Sequence, residues 1–226
     1  ASGVTLTIPS ATTVQFSTGT IYVEGGTLDV SGTSAAPVTL TSDHGTPAPG
    51  DWGGISYLPG SSGAIDHTTI AYTGACTAQP NFQSSCNRAA VQVWGTASVT
   101  LSGSTVSNTD NDGIEMQGWS GSNPVPTITN DTFTYSASPA NAGFAVGFDY
   151  VPGSLTKTVS GTTTALVQDL SASGFLYDDV GIAGGTYNDT GSWLAPGIPY
   201  RLDGVLFVGG AGSSTASPPS LTIGAG

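Results

Sequence analysis

The sequence predicts an all-β solenoid, a stack of short strands wound as successive coils. Three observations predict it. Apolar residues come in alternating bursts of three to six, each ended by Gly, Pro, Asn or Asp, with almost no helical periodicity. A six-residue pattern recurs as Ile65-Asp66-His67-Thr68-Thr69-Ile70, Leu101-Ser102-Gly103-Ser104-Thr105-Val106 and Ile128-Thr129-Asn130-Asp131-Thr132-Phe133. Finally, Thr5-Leu6-Thr7-Ile8-Pro9-Ser10-Ala11 returns 215 positions later as Ser220-Leu221-Thr222-Ile223-Gly224-Ala225-Gly226. Repetition sets architecture, and the intervals of 36 and 27 residues between hexads suit coils with surface insertions. No single coil can bury its apolar face alone, so stacking supplies the core.

Taken in order, each strand follows from its own burst. The opening bursts place strands at 5–8, 14–16, 20–23 and 27–30, separated by Pro9-Ser10, Gly19 and Gly25-Gly26. Val-Thr-Leu-Thr gives 38–41, then Asp-His-Gly-Thr-Pro-Ala-Pro-Gly marks an insertion over 43–53. Strands follow at 54–57, 64–65 and 69–72, where the hexad puts apolar residues on both sides of a small polar corner. A polar insertion over 76–87 precedes strands at 90–93, 99–101, 105–106 and 114–117. Insertions at 118–125 and 136–142 flank strands at 127–128 and 132–135. The remaining strands fall at 144–148, 155–159, 165–167 and 180–183. The stretch 184–199, with Trp193 and two prolines, reads as a change of course before 200–201, 205–208 and 221–223. No inter-domain linker stands out, so residues 1–226 read as one domain, expected to be one unit of a longer or head-to-tail array.

Composition excludes several functions. Three basic residues stand against fifteen acidic ones, which argues against nucleic acid and against anionic membrane surfaces. Charged residues make up 8%, against roughly 25% in an ordinary domain, so the net charge of −12 reflects a shortage of Lys and Arg. No run approaches the ~18 apolar residues of a membrane span. No charged leader followed by an apolar run is present, as expected of a chain numbered after removal of a signal peptide. The expected setting is therefore secreted, on an extracellular cell surface. There Cys76 and Cys86 are expected to form one local disulfide.

The succession LTIPSATTVQF (6–16), GTLDVSGTSAAPVTLTS (26–42), PGDWGGISY (49–57) and IDHTTIAY (65–72) resembles right-handed parallel β-helix repeat proteins of microbial cell surfaces, built on a pectate-lyase-like fold. GIPYRLDGVLFV (197–208) and SLTIGAG (220–226) resemble the lead-in to another such unit. The resemblance implies a single-stranded right-handed parallel β-helix with surface loops. It implies no single function, because that scaffold carries pectin-degrading enzymes, adhesins, ice binders and structural proteins.

Related polygalacturonases use Asn-Thr-Asp, Asp-Asp and His-Gly motifs with Arg-Ile-Lys. Here Asn108-Thr109-Asp110, Asp178-Asp179 and His44-Gly45 stand in another order, and Arg-Ile-Lys is missing. A lyase needs a basic residue near an acid cluster, and Arg88, Lys157 and Arg201 have none in sequence. No catalytic residue is therefore assigned, and the reading is not an enzyme, with glycoside hydrolase or polysaccharide lyase as runner-up. Asp110, Asp112 and Glu115 offer hard oxygens for calcium, while the same run builds a coil corner unaided. His67 reads as a stacked corner residue, and neither it nor His44 has a second ligand at metal spacing. Trp52, Trp94, Trp119 and Trp193 suit either a sugar-stacking platform or a cover for the β-stack. Thr-x-Thr recurs, as at 5–7, 39–41, 127–129 and 132–134, but unequal coil lengths speak against a flat, ice-matching face. Asn130 and Asn188 open glycosylation acceptor triplets.

The leading expectation is a non-catalytic structural or adhesive module that assembles end to end. Thr5, Leu6, Thr7 and Ile8 of one unit are expected to meet Ser220, Leu221, Thr222 and Ile223 of another. That other is either the next repeat of the polypeptide or a second subunit. Surface glycans are the other expected partner. The alternative is a polysaccharide-binding or polysaccharide-degrading β-helix, with ice binding behind it.

Overall fold

The recurring hexad folds as two strands around a left-handed corner. In the computed structural model of the chain, His67, Gly103 and Asn130 hold that corner at φ 42°, 57° and 58°. Gly and Asn reach this region at little cost. The apolar residues on either side of it, from Ile65 and Ile70 to Ile128 and Phe133, are all buried. The structure describes residues 3–75, 89–118, 125–136, 143–160, 162–209 and 218–224. Cys76, Cys86, Arg88 and Trp119 lie outside the described residues.

Three strands make one coil. The first coil holds β1 (Thr5–Pro9), β2 (Thr13–Phe16) and β3 (Ile21–Val23). The second holds β4 (Thr27–Ser31), β5 (Val38–Ser42) and β6 (Ile55–Tyr57). The third has β7 (Ser62–Asp66), β8 (Thr68–Ala71) and β9 (Val91–Trp94), and the fourth β10 (Ser98–Ser102), β11 (Thr105–Ser107) and β12 (Ile114–Gln117). The fifth has β13 (Thr127–Thr129), β14 (Thr132–Thr134) and β15 (Phe144–Phe148). A hairpin, β16 (Thr156–Val159) and β17 (Thr162–Ala165), precedes the sixth coil of β18 (Val167–Gln168), β19 (Ser171–Ser173) and β20 (Tyr177–Tyr187). Last come β21 (Thr190–Leu194), β22 (Tyr200–Val208) and β23 (Ser220–Gly224).

Corresponding strands stack in parallel into three sheets. Sheet A runs β1-β4-β7-β10-β13-β18, sheet B runs β2-β5-β8-β11-β14-β19, and sheet C runs β3-β6-β9-β12-β15-β20-β22. The chain is thus a right-handed parallel β-helix, as expected. The hexads align as read, with Ile65, Leu101 and Ile128 in one row and Ile70, Val106 and Phe133 in another. The first row starts at Ile8 and Val30 and ends at Val167, through coils of 22, 35, 36, 27 and 39 residues. Each buried Ile, Leu or Val contributes about 1.5–3 kcal/mol, against a net ~1 kcal/mol for a typical hydrogen bond. The inward rows therefore fix the stack, and the ladders keep its register.

A polar ladder lines the corner between sheets A and B. The Thr68 N–H donates to Ser104 Oγ at 3.0 Å, and the Ser104 N–H donates to Asp131 Oδ1 at 2.7 Å. The Thr68 and Ser104 hydroxyls donate to the carbonyls of Asp66 and Ser102, two residues back. Outside, Thr13, Thr39, Thr69, Thr105, Thr132 and Ser171 form one continuous row on sheet B. Unequal coil lengths do not break that row, because the insertions leave between strands and not within them.

The C-terminal third departs from the reading. Residues 184–199 are not a simple change of course: β20 extends to Tyr187, and β21 lies in this stretch, with the Trp193 indole fully buried and donating to Gly153 O at 3.0 Å. Strand β19 is additional, and β16–β17 is antiparallel where only parallel strands were expected. After β21 the chain crosses directly toward sheet C, bonding Leu170 N to Pro196 O and Val180 N to Pro199 O. Gly197 makes that crossing at φ 97°, where a Cβ would stand 2.5 Å from Leu170 O.

Candidate functional site

Along the outer face of sheet C one row runs Tyr22, Ser56, Gln92, Glu115, Gly147, Gly181, Arg201. Two successive glycines remove the side chains beside Glu115 and leave a hollow of about 160 Å³. Asp112, Glu115, Asp149 and Asp203 line it, from three different coils. The Phe144 ring folds against Gly181, where a Cβ would clash with it, and stacks on Tyr177 at 4.9 Å. Arg201 lies over the Tyr177 ring, 4.2 Å from its centroid, and donates to Asp179 Oδ2 at 2.7 Å.

Two of the carboxyls in this hollow, Asp112 and Glu115, are pushed toward neutral pH. Burial pushes Asp112 up to about 6, opposed by the Phe144 N–H that donates to its Oδ1 at 2.6 Å. Burial likewise pushes Glu115 up to about 7; a Gln117 hydrogen bond lowers it, and the charges of Asp112 and Asp149 raise it further. Asp149 is also raised by burial, although its Oδ1 accepts the Gly118 N–H at 3.0 Å. Carboxyls protonated in this range donate as well as accept, which suits neutral hydroxyl groups. Of the described basic residues, Arg201 is engaged by Asp179, and Lys157 sits in the β16–β17 hairpin.

The sequence-predicted residues are scattered by the fold. Asp110 leaves the trio suggested for calcium, since it packs beside Gly50 in the 43–53 loop while Asp112 and Glu115 face the hollow. Among the described residues, no three His, Cys, Asp or Glu side chains come together as a metal-holding group. Asn108 acts as a coil corner at φ 50°, its Oδ1 accepting the Ser136 N–H at 2.8 Å. The Asp-Asp pair is structural: Asp178 accepts from the Gly174 and Phe175 N–H groups, and Asp179 binds Arg201. His44 staples the 43–53 loop, its Nδ1 lying 3.1 Å from Asp51 Oδ1. Burial alone would raise Asp51, but bonds from Ser42, Ala48 and His44 bring it below the ordinary range.

His67 pairs with Asp66 at 2.7 Å and lies over Gly103, beside a hollow of about 340 Å³ edged by Thr69 and Thr105. The three described tryptophans build no exposed platform. Trp52, Trp94 and Trp193 are buried, and Trp52 stacks on Phe16 at 4.1 Å. Asn130 and Asn188 are both exposed. Asp149 and Asp203 carry no sequence signal as site residues, because neither has an acidic neighbour in sequence; only stacking brings them to Glu115.

The ends of the stack hold the other predicted residues. Leu6 is 56% exposed, although it shares the inward row of Leu28, which is 1% exposed. At the opposite end Ile223 is 57% exposed in β23, which pairs in parallel with β21. Compared with known proteins, residues 1–63 match the family model described as a pectate-lyase like beta helix domain. That match spans the first two coils and reaches into β7. No curated protein and no solved structure matches the chain.

Proposed function

We propose that this pectate-lyase-like β-helix is a non-catalytic structural and adhesive module of an extracellular surface protein or filament, joined end to end through its first and last coils. The apolar interior that the described residues leave uncovered at both ends carries the reading. Val4 and Leu6 flank an open hollow of about 170 Å³ that continues to Ile21, Val23 and Leu28. Leu202 and Val208, in the inward rows of the buried Ile182 and Tyr187, are exposed on β22, as is Ile223 on β23. Among the described residues β1, β2 and β3 have no partner on their outer side. Such edges pair readily with another strand. Unlike surfaces at the two ends repeat one heterologous contact, which propagates as a fibre. The sparse charge and the row of hydroxyls on sheet B suit a surface protein that meets glycans or other neutral partners.

Electron microscopy and sedimentation at rising concentration test the reading. Rods whose lengths are multiples of one unit are expected. A protein that stays monomeric at every concentration refutes stacking between separate subunits.

A second reading is a polysaccharide-binding or polysaccharide-degrading β-helix, favoured by the four carboxyls around one hollow on sheet C. A glycan panel separates the two. Binding without turnover supports an adhesin, whereas turnover abolished by Asp112→Asn replaces the leading reading with a glycoside hydrolase.

A further inference from the structure

We infer that the joint between successive units is already present once inside the chain, as the pairing of β23 with β21, and that β1 is built to lie on a β21 strand from a second copy of this chain. The inference rests on the end-to-end reading and adds its register. Strand β23 repeats the Leu-Thr-Ile of β1, with Leu221 in the place of Leu6, Thr222 of Thr7 and Ile223 of Ile8, flanked by Ser220 for Thr5 and Gly224 for Pro9. It lies parallel on β21, with Leu221 beside Gly191, Thr222 beside Ser192 and Ile223 beside Trp193. Carried over to β1, this places Leu6 over Gly191 and Ile8 over Trp193 of the neighbouring copy.

The chemistry of β21 fits that task. Gly191 admits no side chain of its own, since a Cβ there would lie 2.5 Å from Ser154 Cβ and 2.8 Å from Tyr187 Oη. A leucine on the next strand can therefore close over it. Trp193 is fully buried and packs edge-on against Tyr187 at 6.1 Å, so it offers the next strand a fixed apolar surface. The exposure of Leu6 and that of Ile223 are then two sides of one missing neighbour. Sheet C agrees. Its inward rows begin at Ile21 and Val23 and finish at Tyr200 and Leu202, so the same joint sets β3 of one copy against β22 of the copy before it. A separate copy would have to displace β23. A copy fused so that its Thr5 follows Pro219 need not, because β1 then takes the place of β23.

That fusion, residues 1–219 followed by residues 5–226, is the test. One continuous helix is expected. Its thermal midpoint should lie at least about 3 °C above that of the single chain, since each repeat gains an interface. Leu6→Asp in the second copy should remove the gain, while Leu6→Asp in the single chain shows whether the variant folds. One extra residue inside β1 of the second copy, between Leu6 and Thr7, should also remove the gain, because a one-residue slip within a strand turns its following inward side chains outward. Two copies that unfold independently at the single-chain midpoint when fused without the extra residue overturn the joint. A single chain that stays monomeric while the fusion behaves as one body rejects assembly of separate copies and supports the joint. Rods from the single chain, with a fusion that unfolds as two, overturn the joint alone.

Discussion

Replacing Asp131 by asparagine should stabilise the protein at alkaline pH and leave it unchanged or weaker in acid. Asp131 occupies the corner-ladder position that Thr68 and Ser104 fill with hydroxyls. It is 1% exposed; its Oδ1 accepts the Ser104 N–H, and its Oδ2 has no partner. A hydroxyl in that place donates to the carbonyl two residues back, which a carboxylate cannot do. Burial pushes Asp131 up to about 7; backbone bonds from Ser104 and Thr129 lower it, the Asp66 charge raises it and His67 lowers it. Between the ordinary value of 3.8 and about 7 the folded state holds a proton that the unfolded state has lost. Stability is therefore fully present below pH 3.8 and falls as the pH rises through 7. At 1.36 kcal/mol per pH unit, the loss above pH 7 is about 4 kcal/mol as an upper bound. Asparagine keeps the acceptor for Ser104, adds a donor and carries no charge. Urea unfolding of both proteins from pH 4 to pH 8.5 is the assay. The variant should gain on the parent progressively over that range, by on the order of 2–4 kcal/mol at the top. Two profiles that run parallel across the whole range would refute the account of Asp131.

Two further outcomes follow from packing. Trp193→Ala removes a fully buried indole and its bond to Gly153 O, and should cost about 3–5 kcal/mol, read as early melting of the last coils in hydrogen exchange. Leu6→Asp replaces a side chain that is more than half exposed, so the unfolding free energy of the isolated protein should hold within about 1 kcal/mol, while any rods seen by electron microscopy shorten to single units.

Legibility in the sequence followed the inward rows. Ile65–Ile70 and its two repeats were readable because both flanking residues are large and the corner residues small and polar. Strand β19 was not, since Ser171-Ala172-Ser173 buries only an alanine against Phe133. Strand β21 hid because Gly191 looks like a breaker, while the groups that need it glycine, Ser154 and Tyr187, are set there by the fold. Asp112 and Glu115 were visible as one acidic run. Their partners were not, because Asp149 and Asp203 reach them only through register summed over coils of different length. The same local reading put Asp110 with Asp112 and Glu115, where turning the corner carries it toward the 43–53 loop.

The unequal coils carry one more consequence. Rungs of 22 and of 39 residues obey the same register, so whatever length the chain spends between strands is invisible to the stack. A lineage could lengthen, shorten or swap these protruding segments and alter what the flanks of the β-helix display, without renegotiating how it is built.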